Sequence, residues 1–245
     1  MIIGEFFNET LHRPLINLLV GLYNTIGFQD LGVAIILLTV LVRLLLFPIF
    51  QKSLRHQKQL KELQPKMKEL QEKYKKDPKK QTTEVMALYK TAGVNPFSGM
   101  ILLVVQLPIL IALYRIFLRG LSPIPILDLY SFVDVPAGIN ATLFGLINLN
   151  ERSILMVVAA AVAQYVQGKI TLAAQSQNSA SSMDRVARSM VLVGPLMTVV
   201  IFFGLPAAVP LYWFVSSLVS VVQQMIVNKE SLSQHAVGSI HKKDN

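Results

Sequence analysis

Long apolar runs separated by polar stretches set the pattern of hydrophobic positions along this chain. The runs are apolar on every helical face, and their lengths approach the roughly 20 residues that a helix needs to cross a bilayer core. Transmembrane β-strands would instead give alternating segments of about ten residues. The pattern therefore predicts an all-α polytopic membrane protein. Its five transmembrane helices are expected at 29–50, 96–119 and 153–174, with the last two forming a hairpin at 189–227.

The segments between these runs complete the predicted organisation. Residues 1–28 contain an apolar part too short for a span, which favours an interfacial amphipathic helix, with a core-facing helix as the alternative. Because the turn "GLPAAVP" at 204–210 is short, the last two spans are expected to lie side by side. The other segments are a cytoplasmic basic helical hairpin at 51–95, an extracytoplasmic loop at 120–152, a cytoplasmic loop at 175–188 and a cytoplasmic tail at 228–245.

The composition supports a membrane protein and excludes sites that depend on cysteine. Of the 245 residues, 53% are hydrophobic and only 15% are charged, which is too apolar for an ordinary soluble domain. The chain has no cysteine, so a disulfide framework, a thiolate metal site and a lipid-modified cysteine are excluded. Redox compartment therefore cannot be inferred from cysteine usage.

The distribution of charge predicts the orientation. Twelve of the 23 Lys and Arg residues lie between Lys52 and Lys90, and loops rich in these residues stay in the cytoplasm. The loop at 120–152 carries one basic residue against three acidic ones and is expected outside. The prediction is a multi-pass membrane protein with its N-terminus outside and its C-terminus in the cytoplasm. Arg115 and Arg119 run against this rule but are outnumbered.

The basic loop is itself predicted to be structured. In "LKELQPKMKELQEKYKKDP", apolar residues recur at steps of three and four, and Asp77-Pro78 then supplies a turn before a second apolar stripe. This pattern predicts an antiparallel helical hairpin, in which Pro65 either kinks the first arm or starts a new helix. Its basic face is either a solvated topogenic signal or a docking surface for anionic lipid, ribosomal RNA or an acidic partner. The recruitment surface would contain Lys58, Lys61, Lys66, Lys68, Lys73 and Lys75.

One arginine interrupts the first span. Arg43 lies seven residues before Phe50, or roughly 10 Å from the end of the apolar run at 1.5 Å per residue. An extended arginine side chain covers only about 6 to 7 Å, so simple snorkelling to the head groups falls short. A charged residue at this depth favours a side chain that faces a polar cavity.

Other spans supply polar residues that suit the walls of such a cavity. Taken singly, each polar side chain is more typical of contact between helices, and Trp213 of an interfacial anchor. Together with Arg43 they indicate a common groove, and no Asp, Glu or Lys lies deep in a span to neutralise the arginine. Water, amide and hydroxyl dipoles, or an acidic segment that arrives would balance its charge. The predicted groove residues are Arg43, Thr39, Gln106, Gln164, Trp213, Ser217 and Ser220.

Signatures of catalysis are missing from the sequence. Neither a nucleophile elbow, a zinc-protease helix nor a nucleotide-binding glycine loop is present. The histidines, at positions 12, 56, 235 and 241, all lie outside the predicted spans. No catalytic residue, cofactor or metal site is therefore predicted.

Several motifs in combination resemble one family. These are "VRLLLFPI" around Arg43, "LQPKMKELQEKYKKDP" followed by "LYKTAGVNPFSG", "QLPILIALYRIF" and "PLYWFVSSLVSVVQQ". The chain is similar to the YidC/Oxa/Alb family of membrane protein insertases, in its short bacterial form. The resemblance covers nearly the whole chain, from the first span to the fifth.

The resemblance implies an insertase and chaperone that needs no ATP of its own. Five helices would enclose a hydrophilic groove open to the cytoplasm and laterally to lipid, with Arg43, Gln106, Gln164 and Trp213 matching groove positions. The mobile hairpin would help to recruit substrates. Implied partners are nascent membrane proteins, the ribosome, the signal recognition particle receptor, the Sec translocon and membrane lipids.

The sequence also departs from parts of the family pattern. The extra N-terminal span and large periplasmic domain of Gram-negative relatives are not found in it, and no cysteine is available for lipidation. Either a signal has been removed before residue 1 or the N-terminus crosses unaided. The tail is short and only mildly basic, so strong ribosome binding by the tail is not expected.

Two other functions stay open at this stage. A small-anion transporter or channel would use Arg43 as an anion site and would be expected to show paired repeats with broken helices, which the sequence lacks. A scaffold that assembles membrane proteins without inserting them would bind its clients without moving them.

Overall fold

The computed structural model describes residues 2–95, 97–119, 128–175 and 182–241 of the chain. The predicted loops at 120–152 and 175–188 and the tail thus lie partly outside the described residues. A π-helical turn, Asn8–His12, joins the first two helices, and the strands β1 (Thr142–Leu143) and β2 (Ile147–Asn148) pair as an antiparallel ribbon. The α-helices are α1 Ile2–Phe7, α2 Arg13–Thr25, α3 Leu31–Leu45, α4 Phe47–Glu62, α5 Gln64–Lys73, α6 Pro78–Thr91, α7 Ser98–Arg119, α8 Ile154–Gln175, α9 Ser182–Phe202 and α10 Ala208–His241.

The prediction of a helical membrane protein is confirmed by the described helices. α8 and α10 are long and apolar enough to cross a bilayer, over Ile154–Leu172 and Ala208–Lys229. α3 and Phe47–Leu60 of α4 form a third candidate if the bent pair is one span. α7 and α9 contain shorter apolar helices, Val104–Leu118 and Ser189–Phe202. By length and composition, the described residues therefore supply two or three spans.

The first predicted span, 29–50, is not one straight helix. α3 begins at Leu31 behind an N-cap in which Asp30 Oδ1 accepts the Val33 N–H at 3.0 Å. It ends at Leu45, and α4 departs at 60°. Pro48 explains the bend, because it has no N–H to donate to the carbonyl four residues earlier and its ring clashes there. Residues 47–50 thus belong to a second helix that is inclined by 60° to α3.

The N-terminal helix α2 turns its apolar face toward the protein. Ile16, Leu19 and Val20 are buried in the main hydrophobic core, together with residues of α3, α7 and α10. An interfacial helix that relied on lipid alone would leave this face outward. The structure therefore agrees with the core-facing alternative for the apolar stripe.

The last two spans are not arranged as expected. α8 packs along both α9 and α10, whereas α9 and α10 make little contact along their described residues, apart from an edge-to-face pair between Phe202 and Trp213 near the turn. The side-by-side prediction is therefore wrong. Gly168 of α8 lies close to α9, since a Cβ there would be 3.5 Å from the side chain of Val191, an ordinary contact distance.

The loop before α8 covers the end of the bundle at which α3, α8 and α10 begin. We call this the ribbon end. Asn17 of α2 donates to the Asp128 carbonyl at 2.8 Å and accepts from the Tyr130 N–H at 2.6 Å. The N–H groups of Ala207 and Ala208, at the start of α10, donate to the carbonyls of Glu151 and Leu149. Since free helix N-termini need acceptors, the loop satisfies donors that would otherwise be orphaned.

The basic hairpin is confirmed as an antiparallel pair of helices, α5 and α6. Asp77 caps α6 by accepting the Lys80 N–H, and Pro78 occupies the first turn. Met67 is buried between the arms, where its sulfur accepts a hydrogen bond from the Tyr89 hydroxyl at 3.1 Å. Pro65 lies in the first turn of α5, so it starts a new helix after α4 rather than kinking a continuous arm.

Candidate functional site: a polar cavity between the helices

A cavity of about 530 Å³ lies among α3, α4, α7, α8, α9 and α10. Its walls mix apolar side chains with one charged and several neutral polar groups. Arg43, Gln106, Gln164, Trp213 and Ser217, five of the seven predicted groove residues, line it. The polar lining also includes Gln167, Thr171 and Ser216.

Arg43 projects from the last turn of α3 toward α10 rather than toward the end of the bundle. Its Nε donates to Ser216 Oγ at 2.9 Å, and one terminal nitrogen donates to the same oxygen. The guanidinium also lies 5.7 Å from the centre of the Phe50 ring. The contact with Ser216 holds this charge in the cavity lining.

The backbone beside Arg43 is tied to the same helix. Gln223 Nε2 donates to the Arg43 carbonyl at 3.1 Å, which is a group that the end of α3 would otherwise leave without a helical partner. Along the residues that the structure describes, no Asp or Glu pairs with Arg43. Its charge is therefore balanced only by neutral dipoles and by whatever enters the cavity.

A second polar contact extends this network to α7. Gln106 Nε2 donates to the Tyr212 hydroxyl, and Tyr212 also interacts with the side chain of Ser216. Gln106, Tyr212, Ser216 and Arg43 thus form one chain of polar groups from α7 through α10 to α3.

The wall opposite Arg43 is organised around Gln164 of α8. Its Oε1 accepts from the Thr198 hydroxyl of α9 and from the indole N–H of Trp213, the latter at 3.3 Å. Gly194 allows this, because a Cβ there would lie 3.1 Å from the Gln164 amide nitrogen. One side-chain amide therefore joins three helices at the cavity wall.

Two predicted groove residues lie outside the lining. Thr39 is buried and donates to its own helix, to the Ile35 carbonyl at 2.6 Å. Ser220 is likewise buried and donates to the Ser216 carbonyl at 2.9 Å. Both residues occur on the helix faces that carry the groove residues. Each hydroxyl, however, donates to a carbonyl of the preceding turn of its own helix, so these two side chains contribute to packing and not to the cavity wall. Sequence spacing gives the face of a side chain and not the partner of its hydroxyl.

Sequence reasoning missed Ser216, Tyr212, Thr198 and Gln223. Ser216 was detectable, because it lies three residues after Trp213 and four before Ser220, on the same polar stripe. Tyr212 and Gln223 gave no comparable signal, since they lie next to Trp213 and Gln224 in the sequence and outside the polar stripe. Their roles depend on how α3, α7 and α10 pack.

The hairpin lysines form a separate charged surface that does not contribute to the cavity lining. Lys66, Lys73 and Lys75 are exposed, whereas Lys58 and Lys68 are half-buried; the side chain of Lys61 lies outside the described residues. The ammonium groups of Lys73 and Lys80 lie 5.5 and 5.1 Å from the centre of the Tyr74 ring. Aromatic contact thus orders part of the basic surface near the turn.

The fold and the cavity define a class: a helical membrane protein with one cation in a polar cavity between its apolar helices. A model of the family described as 60Kd inner membrane protein matches residues 21–234. The chain belongs to this family, which confirms the resemblance to the YidC/Oxa/Alb insertases.

Curated relatives named membrane protein insertase YidC occur in distant bacteria. The protein of Cupriavidus taiwanensis is 33% identical over 221 residues, covering 89% of this chain and 35% of the relative. Those of Chlamydia caviae and Treponema denticola are 35% and 36% identical over 215 and 208 residues, covering 85% and 81% of this chain and 27% and 34% of the relatives. The chain thus spans about a third of the length of these curated relatives.

Proposed function

We propose that this protein is a membrane protein insertase and chaperone. It would move transmembrane segments of nascent proteins from the cytoplasm into the bilayer through the polar cavity, alone or with the Sec translocon. The observation that carries this proposal is the position of Arg43, a cation held in the cavity by the neutral hydroxyl of Ser216. Membership of a family whose curated relatives are named insertases supports it.

The proposed membrane arrangement has five spans in the bacterial inner membrane. α7 and α9 would supply the two spans beyond those supported by helix length. Val104, Leu107 and Ile111 of α7, like Leu196 and Val200 of α9, leave large apolar side chains exposed, as lipid-facing positions do. With five spans, the hairpin and the C-terminus would lie in the cytoplasm and the N-terminus outside, and the excess of basic residues at 51–95 supports this orientation.

The cavity would lower the barrier for the polar flank of a substrate. In hydrocarbon each unsatisfied polar group costs several kcal/mol. Amide and hydroxyl groups of Gln106, Gln164 and Ser217 offer hydrogen-bonding partners at membrane depth, and Arg43 attracts acidic residues on the flank. The chemistry is electrostatic and hydrating rather than catalytic, and no bond is made or broken.

Lateral release would follow the seam between α7 and α9. Both helices line the cavity, with Gln106 on one and Val191 and Pro195 on the other. They do not pack against each other along their described residues. An apolar substrate helix would pass through this seam, and its burial in lipid would drive the step.

The basic hairpin would recruit substrates from the cytoplasm. The exposed lysines of α5 and of the turn after it, Lys66, Lys73 and Lys75, suit the phosphates of ribosomal RNA, anionic lipid and acidic surfaces on the signal recognition particle receptor. Replacing Lys66, Lys73 and Lys75 by Gln should weaken ribosome binding in a salt-dependent manner. A matched variant with Lys52, Lys79 and Lys90 replaced, equal in charge change, should bind nearly normally. Equal losses would instead indicate a nonspecific effect of net charge.

The direct test uses purified protein in liposomes. A single-span substrate with a short acidic outer flank is added, and the protease-protected fraction is measured for wild type, Arg43→Ala and Arg43→Lys. Insertion should require the protein, fall with Arg43→Ala and be partly retained with Arg43→Lys, which keeps the charge but not the planar fork.

Each other outcome has a definite meaning. Unchanged insertion with Arg43→Ala, for substrates with and without acidic flanks, would remove the proposed role of the arginine. If wild type inserts nothing while binding the substrate, the protein is a scaffold. Saturable anion flux in the same liposomes, lost with Arg43→Ala, would overturn the proposal in favour of a transporter.

A further inference from the structure

The ribbon end exposes large apolar side chains that the cavity does not explain. Phe28, in the turn between α2 and α3, is 87% exposed, and Phe144 and Leu146, at the tip of the β-ribbon, are 67% and 86% exposed. These three residues form what we call the apolar tip. All three are large apolar side chains that the protein itself leaves uncovered, as exposed apolar interaction sites are.

The backbone at the apolar tip is unfavourable for the residues that occupy it. Phe144 and Gly145 have φ values of 52° and 69°, and the Leu146 N–H donates to the Leu143 carbonyl at 3.0 Å. Positive φ at both central positions is typical of a type I′ turn, which strongly prefers Asn-Gly. Phe28 has a φ of 52° as well. Bulky side chains in this conformation are uncommon, and here they gain little from packing within the protein.

The ribbon is held at the level where the membrane helices begin. The Leu31 N–H donates to the Asn140 carbonyl at 3.1 Å, and a Cβ at Gly32 would lie 2.8 Å from Leu143 Cα. Phe144 is therefore one residue away from direct contact with the first turn of α3. On the other side, Leu149 accepts from the first residue of α10. The tip is thus fixed close to the boundary of the apolar belt.

The exposed apolar surface continues onto a span. Ile154 and Leu155, in the first turn of α8, are 67% and 65% exposed, and α8 is one of the helices long enough to cross a bilayer. Lipid must cover these residues if α8 spans the membrane. The same lipid layer lies within reach of a ribbon attached at the start of α3 and α10.

We propose that the apolar tip inserts into the lipid leaflet at the ribbon end and anchors this end of the protein at the interface. Phe28, Phe144 and Leu146 would enter the boundary between head groups and acyl chains, as apolar side chains of interfacial segments do. Burial there supplies the compensation for the strained turns that packing within the protein does not. The partner is the bilayer itself and not a substrate, so this proposal is independent of insertase activity.

Spin labelling tests the anchor directly, because the chain contains no cysteine and each substitution gives a single label. Phe28→Cys, Phe144→Cys and Leu146→Cys are labelled in the full chain and placed in vesicles of phosphatidylethanolamine and phosphatidylglycerol. Collision with oxygen, which concentrates in acyl chains, is compared with collision with a water-soluble nickel chelate. Gly138→Cys, exposed and with open space around its Cβ, is the control on the same loop.

The ratio of oxygen to nickel collisions should be several-fold higher at the three tip positions than at Gly138→Cys. Equal ratios would overturn the proposal. Spin–spin broadening that grows with the ratio of protein to lipid would also overturn it, because a second copy rather than lipid would then cover the tip.

A second variant separates lipid contact from a structural role. Phe144→Asn places the residue that the turn prefers at the tip, so stability in detergent should be unchanged or higher. In vesicles, a label at Leu146→Cys in this background should become more accessible to nickel. A loss of stability in detergent, with unchanged accessibility in vesicles, would show that Phe144 serves the fold alone.

Discussion

Arg43 and Ser216 lie on different helices and meet across the polar cavity, with Arg43 Nε 2.9 Å from Ser216 Oγ. The serine accepts from two guanidinium nitrogens, and its side chain also interacts with Tyr212. A neutral hydroxyl thus sets the direction of a charge that would otherwise have several rotamers. The remaining donors of the guanidinium stay available to the cavity.

The first prediction concerns this contact. Ser216→Ala should lower insertion of substrates with acidic flanks roughly tenfold, because a hydrogen bond to a charged group contributes about 1.5 kcal/mol or more. Ser216→Thr, which keeps the hydroxyl, should restore most of the activity. The rates of protease-protected insertion in liposomes measure both.

A double variant decides whether the serine acts through the arginine. Arg43→Ala with Ser216→Ala should be no worse than Arg43→Ala alone, since the interaction is already gone. Additive losses would show that Ser216 has a separate role.

The second prediction uses Trp213, the only tryptophan in the chain. Gln164→Leu removes the acceptor of the indole N–H and should shift the emission of Trp213 to shorter wavelength. Thr198→Val breaks only the link from Gln164 to α9 and should leave the emission nearly unchanged. Fluorescence spectra of the two variants in detergent measure the difference. Equal shifts would mean that α9, and not the amide, sets the environment of the indole.

The third prediction concerns the close contact between α3 and the ribbon. Gly32→Ala should destabilise the protein by about 1–3 kcal/mol, because the added methyl group would lie 2.7 Å from Leu143 Cβ and 2.8 Å from Leu143 Cα, atoms that cannot move without the backbone. Gly21→Ala, where the Cβ meets open space in α2, should be neutral or stabilising by up to about 1 kcal/mol. Thermal unfolding in detergent compares them. Equal midpoints would show that the ribbon yields easily.

The fourth prediction concerns pH at the hairpin. Partial burial raises the pKa of the Tyr89 hydroxyl above its ordinary value. The folded hairpin therefore favours the protonated form, so its contribution to stability is fully present below about pH 10 and is lost as the pH rises through the folded pKa. The difference in absorbance at long ultraviolet wavelength between wild type and Tyr89→Phe should titrate above about pH 10. A midpoint at or below that value would contradict the burial.

Much of the architecture followed from local patterns. The helical class follows from long apolar runs, and the hairpin follows from apolar steps of three and four before Asp77-Pro78. These features depend on residues that are close in the chain, where the helical period and turn chemistry are decisive. The positions of Arg43, Gln106, Gln164 and Trp213 around one cavity also followed, since each is a polar residue in an apolar helix.

Other features depend on contacts between distant residues. The bend at Leu46 was foreseeable from Pro48, yet the continuous apolar run hid it. The position of α8 between α9 and α10 was not foreseeable from the sequence. A short turn limits the distance between two helix ends, but it does not decide whether a third helix packs between them. The sequence of α2 did not show whether protein or lipid would cover its apolar face, since a helix packed on a protein core and a helix at a lipid interface have the same pattern of apolar residues.

The position of α8 has a mechanical consequence for the proposed exit route. α9 is attached to the bundle mainly through α8, and its described residues do not pack on α7. A helix that leaves the cavity there therefore needs no protein interface to be broken and later rebuilt. Such a helix would only have to displace lipid. The composition and fluidity of the bilayer, rather than the opening of a contact within the protein, would therefore set the rate at which the substrate helix enters the membrane.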